Sequence, residues 1–260
     1  MEALYLAGTA HFDRKGPERL LKFLSYIRPG HILCEGTEEE ARIILEDRQK
    51  IEEILTKQKE SEERFKSLEA ITGTIYHERE EGKKLRLVLE VAKAVGYENW
   101  ISYKHQKLYP GATIVHFDDP KLKKEALTNL VKELKSNGDG LEYFFDEQGI
   151  KISFFEALIN SSIESVEEYV KLFDSYDTDN SLDLDSGEQT EEEKLFSDSL
   201  TTSRDLHFEK IIRQTMQIDS SMPSVAVLGC YHLFGPYHNL YERLKDLSPI
   251  RIKLKDIDNF

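Results

Sequence analysis

Two stretches of the chain share one order of apolar and polar positions. In the first, an apolar run (Leu4, Tyr5, Leu6, Ala7) ends at Gly8, Thr9 and Ala10 follow, and His11 comes next. Gly16-Pro17 then opens a segment with apolar residues at Leu20, Leu21, Phe23, Leu24 and Ile27. In the second, Val225–Leu228 runs apolar to Gly229, Cys230 and Tyr231 intervene, His232 follows, and Gly235-Pro236 opens another amphipathic segment. A short apolar run closed by glycine predicts a buried strand, and the spacing after each Gly-Pro predicts a helix with one apolar face. Pro29-Gly30 ends the first helix, and His31–Cys34 predicts a strand that finishes at Glu35-Gly36. Residues 3–36 thus form a strand–helix–strand unit, the crossover that makes strands parallel. A helix over Pro236–Leu247 and a strand over Ile250–Leu254 complete the second unit.

Between the units the periodicity is mostly helical. Thr37–Leu68 carries an intermittent stripe (Ile43, Ile44, Ile51, Ile54, Leu55) and starts with Thr37 and Glu40 in capping-box spacing. Leu85–Val95 predicts an apolar helix ended by Gly96, packed as a hairpin on the preceding one. Trp100–Tyr103 and Ala112–Phe117 predict strands around a Pro110-Gly111 turn, and Asp118-Asp119-Pro120 a helix start. Ser165–Tyr176 and Glu191–Ile218 predict helices, whereas Leu141–Ile159 mixes aromatic and acidic residues without a clear period. The expected fold class is α/β in a single domain over residues 1–260. Two related strand–helix–strand halves form one central mixed sheet, with a helical insertion over 37–95 and an acidic, partly irregular insertion over 141–200. Both strand mouths then lie at the carboxyl edge of the sheet, where ligand sites of α/β folds sit.

The chemistry expected at that edge is carried by His11 and His232. With 14 Gly and 8 His in the chain the Gly-x-x-His spacing is ordinary, and a third instance, Gly235–His238, starts a helix rather than ending a strand. The repetition in one strand–turn–helix context is what sets the other two apart. Glu35 closes the second strand, which is expected beside the strand that delivers His11, and packing does not explain an acid there. Lys253 or Lys255 occupies the corresponding region of the second unit, so the two halves differ at this point. Two histidines and a carboxylate can hold a metal that activates water, or act as acid and base without one. Arg204 can clamp a carboxylate or stabilise an oxyanion. Glu90, an acid among leucines and valines, needs a partner such as Arg204 or a site histidine, and Asp118-Asp119 is more simply a helix cap. Cys230 is read as a small buried residue rather than a nucleophile.

These residues resemble the TraB/TIKI/GumN group, which is related to the erythromycin esterase and ChaN-like proteins. The resemblance rests on Gly8-Thr9-Ala10-His11, Glu35, Gly229-Cys230-Tyr231-His232 with Leu233-Phe234-Gly235-Pro236, and Ser203-Arg204-Asp205 followed by Ile211-Ile212. It covers residues 3–36 and 203–247; the Leu89-Glu90…Ala94 helix and the strand ending at Asp118-Asp119 resemble the pattern more loosely, and 137–200 do not match it. It implies a hydrolase-like fold of two related halves with His11, Glu35, Arg204 and His232 around one cleft; Glu90 and Asp119 are taken as candidate substrate contacts. Activities in the group include metal-dependent proteolysis, ester hydrolysis without metal, peptide-pheromone shutdown and haem binding. Where the activity is of the metal-dependent kind, the cofactor this implies is a divalent metal (Mn, Co or Zn) held by His11, His232 and Glu35; the metal-free kind needs none.

Composition narrows the partners. The net charge of −14 sets the surface against phosphate backbones, so nucleic acid is not expected. No apolar run approaches the roughly 18–20 residues of a membrane span, and Met1 leads directly into a strand pattern with no signal-peptide features, which reads as cytoplasmic. Cys34 and Cys230 are read as reduced and buried. Asp177–Glu188 places oxygen side chains at EF-hand spacing, but Leu182 stands where the loop's sharp turn needs glycine; a solvated acidic loop, not a calcium site, is expected. The leading functional expectation is a hydrolase of peptide or small-molecule ester bonds. The alternatives are a binding or regulatory protein for a peptide, haem or metal, and a signalling or toxin-associated module that captures a protein partner through its acidic helices.

Overall fold

A computed structural model describes residues 3–259 except 12, 73–79, 127, 129–144, 147–148, 151–153, 179–190, 219–220 and 235–238. The elements that carry the site are β1 (Leu4–Thr9), α1 (Gly16–Ile27), β2 (His31–Cys34), α2 (Glu38–Thr72), α3 (Glu80–Ala94), α4 (Tyr97–Leu108), β3 (Thr113–His116) and a helical stretch over 120–126, α5. A small antiparallel pair, β4 (Phe145–Asp146) and β5 (Gly149–Ile150), precedes α6 (Phe154–Asn160), α7 (Ile163–Thr178) and α8 (Glu191–Ile218). The chain closes with β6 (Ser224–Gly229), short helices α9 (Tyr231–Phe234) and α10 (Leu240–Arg243), and β7 (Ile250–Lys253).

The main sheet has five strands in the order β3-β2-β6-β1-β7, and the protein is α/β. Every pairing in it is parallel, where a mixed sheet was expected. The reason is that helices separate each sheet strand from the next along the chain, so every strand enters the sheet from the same end. The two strand–helix–strand units interleave: β6 lies between β1 and β2, and β1 lies between β6 and β7. Glu35 and His11 are therefore not on neighbouring strands, as the sequence had suggested; the second unit's first strand separates them. A pseudo-two-fold along the strands, between β1 and β6, relates the halves.

Alternation along the strands feeds two cores. Leu4, Leu6, Leu33, Ala226 and Leu228 pack with Phe208, Ile212, Leu240 and Leu244 on one face. Ala7, Ile32, Cys34, Val225 and Val227 pack with Leu20, Phe23, Leu24, Tyr97 and Ile101 on the other. Strands buried on both faces read as continuous apolar runs, which is why they were visible in the sequence. A third core (Ile51, Val88, Leu89, Val91, Phe155, Leu158, Val166) holds the helical insertion.

The expected strand at Trp100–Tyr103 is instead the middle of α4. Its β-prone residues masked a four-residue spacing: Tyr97, Ile101 and His105 are all buried, which marks one inward helix face. Gly96, with φ 61°, follows α3 as anticipated and also caps the start of α4. The capping box of α2 forms, with Thr37 N–H donating to Glu40 Oε2 (2.9 Å) and Glu40 N–H to Thr37 Oγ1 (3.3 Å). The continuous helix expected over Pro236–Leu247 is broken: 235–238 lie outside the described residues, and α10 gives way to a 3-10 turn at Lys245–Leu247. Among the described residues no helix is long and apolar enough to cross a membrane.

Candidate functional site

Gly229, at the end of β6, lies at the centre of the site. Its N–H donates to Glu35 Oε2 (2.7 Å), and a β-carbon there would lie 2.9 Å from His11 Nε2. Gly8 answers across the pseudo-two-fold: its β-carbon would lie 3.0 Å from Cys230 Sγ and from a Phe234 ring carbon. Each motif's glycine makes room for the other motif's residues, which is the physical reason for glycine at both positions.

The sheet edge brings His11, Glu35, Arg204 and His232 together. Arg204 Nη2 donates to Glu35 Oε1 (2.5 Å). His232 Nε2 lies 3.4 Å from the same oxygen, and His11 Nε2 lies 3.7 Å from Oε2. Burial alone pushes the Glu35 carboxyl up, but His232 and Arg204 outweigh it and hold the carboxyl well below the usual carboxylate range. Glu35 is an ionised anchor.

Three further carboxylates complete the assembly. Glu98, buried on α4, accepts from Thr9 Oγ1 (2.8 Å), and its Oε1 lies 2.8 Å from His11 Nδ1. Burial pulls the His11 imidazole down, yet Glu98 and then Glu35 raise it above its ordinary 6.5. Asp205 Oδ1 lies 2.5 Å from His232 Nδ1. There too burial opposes the charge, while Glu35 and Asp205 raise His232 to about 9, so His232 is an imidazolium at neutral pH. Asp118 takes Arg204 in a fork, 3.2 Å from Nε and 2.6 Å from Nη2, and lies 3.7 Å from Lys123. Lys123 in turn pairs with Glu40 at the start of α2 (2.7 Å).

Exposure differs sharply within this set. The side chains of Glu35, Arg204 and His232 are 9%, 12% and 4% exposed, against 47% for His11. The buried members form the floor of the site, and His11 is the most exposed of the four.

The other predicted residues fall elsewhere. Glu90 pairs with Arg14 (3.2 Å) on the exposed side of α3 rather than with Arg204 or a site histidine. Asp119 caps α5, accepting from the N–H groups of Lys121 (2.8 Å) and Leu122 (3.1 Å); its neighbour Asp118 is the one that reaches the site. Arg204, which has Asp205 beside it in the chain, pairs across the fold instead, because consecutive helical residues do not face each other. Cys230 and His232 are not on one extended segment; the helical turn of α9 separates their directions. Burial pushes both thiols up to about 12. The acidic 179–188 stretch lies outside the described residues.

The donor set does not suit a divalent cation as arranged. Among the described residues no group of three or more His, Cys, Asp or Glu side chains is placed to hold one. Glu35 is committed to Arg204 and Gly229, and the guanidinium lies 3.4 Å from His232 Nε2, where a metal would meet like charge. Sequence reasoning missed Glu98 and Asp205. Glu98 was hidden by the strand reading of α4, and Asp205 was visible only as a neighbour of Arg204.

No family model matches the chain, and neither a curated protein nor a solved structure does.

Proposed function

We propose that this site hydrolyses an ester or amide bond, with His11 as general base and then general acid. The observation that carries the reading is the His11–Glu98 contact: a buried carboxylate at Nδ1 leaves Nε2 on a half-exposed ring. A water at Nε2 gives up its proton as its oxygen attacks the substrate carbonyl. Glu98 stabilises the imidazolium that forms, and the same proton passes to the departing alkoxide or amine, so protons balance over the cycle. This is the division of labour of a carboxylate–histidine pair.

Glu35, Arg204 and His232 act here as positioning residues. Their mutual charges keep Glu35 ionised beside the ε edge of His11, and Glu35 supports the raised basicity of that ring. A general base is most effective with a pKa near the working pH, and an imidazole starts from 6.5 before Glu98 and Glu35 raise it. The test is turnover of a panel of activated esters and short peptides by the protein and by His11→Ala. Loss of at least about 100-fold supports the reading, and full retention overturns it.

A further inference from the structure

All five strands of the main sheet run the same way, so α1, α4 and α8, which lead into β2, β3 and β6, end together at the amino edge, opposite His11. Seven large apolar side chains are exposed among the described residues, and five of them stand at that edge: Tyr26, Leu108, Ile218, Met222 and Ile250. Hydrogen bonds join the loops beside three of these. Thr113 N–H donates to Gly30 O (2.8 Å), and Gly30 N–H donates to Pro223 O (2.9 Å). The Arg28 guanidinium lies 5.6 Å from the centre of the Tyr109 ring and ties the end of α1 to the end of α4. Tyr26, Leu108 and Met222 therefore belong to one surface rather than to scattered points.

The same surface is basic in a chain of net charge −14. Residues 19–34 and 99–117, which build the α1–β2 and α4–β3 corners, contain no Asp or Glu. Arg28, Lys104 and Lys107 are exposed there, and none of the three makes an ion pair within the described residues. Asp246, near the start of β7, is already bound to Arg213 (2.8 Å). A cation at a helix C-terminus favours the dipole, but that leaves the apolar side chains beside it unexplained.

We propose that this edge docks another protein through an acidic face that also carries apolar side chains. Arg28, Tyr26 and Leu108 are its anchors, flanked by Lys104 and Lys107. Tyr, Met and Arg are the types that concentrate at protein interfaces, where Asp and Glu are scarce. Three cations are fewer than the roughly four to eight that hold a protein to an anionic membrane. A second copy placed symmetrically would set these cations against their own equivalents.

The probe is a fluorescein-labelled amphipathic peptide of glutamate and leucine, with a twin carrying lysine for every glutamate. The full chain is titrated into each while anisotropy is read at low and at physiological ionic strength. Saturable binding of the acidic peptide is expected, weaker at the higher ionic strength, and no binding of the twin. Arg28→Glu and the double variant Lys104→Glu, Lys107→Glu should each weaken it by at least about tenfold, and Tyr26→Ser and Leu108→Ser by at least about fivefold. Lys171→Glu, on α7, and His11→Ala should bind as the parent does. Melting curves that match the parent's show that the variants fold. Absence of saturable binding, equal binding of the twin, or unchanged affinity in the Arg28, Tyr26 and Leu108 variants overturns the proposal. Sedimentation of the parent with phosphatidylserine vesicles in place of peptide binding also overturns it, and assigns the edge to a membrane.

Discussion

His11 and Gly229 approach so closely that no side chain fits between them: a β-carbon on Gly229 would lie 2.9 Å from His11 Nε2 and 3.5 Å from Glu35 Oε2. Gly229→Ala must therefore displace the ring or the strand end. The expected result is a folded protein whose hydrolytic rate falls by about 100-fold, the cost of misplacing a reacting group by around 1 Å. Gly8→Ala presses instead on Cys230 and Phe234, which belong to the core, and is expected to cost about 1–3 kcal/mol of stability. Parallel melting curves and rate measurements separate the two; equal rates in Gly229→Ala and the parent contradict the contact's role.

Arg204 joins two buried carboxylates, Glu35 and Asp118. Arg204→Met leaves both without it, and a loss of about 3–5 kcal/mol is expected in urea unfolding. Arg204→Lys keeps the charge but not the fork, and should fall between the two. In a double-mutant cycle, Asp118→Asn is expected to remove part of the penalty of Arg204→Met. Additive losses would mean that the two residues do not interact.

The parts of this site that were legible in the sequence are those carried by strand ends. His11, Glu35 and His232 each follow a continuous apolar run, and a parallel sheet places all such ends at one edge. Their meeting was visible even though the strand order was not, because interleaving of the two units changes neighbours without changing the edge. Glu98, Asp118 and Asp205 were harder. Each lies within two positions of a residue that drew attention: Glu98 is two before Trp100 in a helix partly read as a strand, Asp118 is beside the cap Asp119, and Asp205 is beside Arg204. Which of two adjacent polar residues faces a site depends on helix phase and on where a strand stops, and single-sequence patterns fix neither to one residue. Glu90 shows the converse error: an acid in an apolar helix need not be buried when it lies on the outer stripe.

The pH dependence of stability follows from His232. Its folded pKa of about 9 exceeds the ordinary 6.5, so its contribution is fully present below about pH 6.5 and is lost as the pH rises through about 9. The size is on the order of 3 kcal/mol. Asp205→Asn removes one of the groups that raises it, so the decline in unfolding free energy between pH 6.5 and 9.5 is expected to be smaller in that variant. An unchanged decline would place its origin elsewhere.

Cys34 and Cys230 are both buried with thiols pushed up to about 12. A thiol-specific reagent at pH 8 is expected to modify neither in the native protein and both after unfolding in guanidinium. Rapid native labelling of Cys230 would show that the end of β6 is more open than its packing against Gly8 implies.

The pairing of His11 with Glu98 is the centre of the proposed mechanism, and the pH profile of kcat/KM for the parent and Glu98→Gln tests it most directly. The parent should show a rising acid limb with an apparent pKa above 6.5, since the neutral His11 is the active form and Glu98 raises its pKa. Glu98→Gln should shift that limb to lower pH and reduce the plateau by about 10- to 100-fold. An acid limb at the same pH in both proteins, or no turnover of any ester or peptide by the parent, would contradict the account.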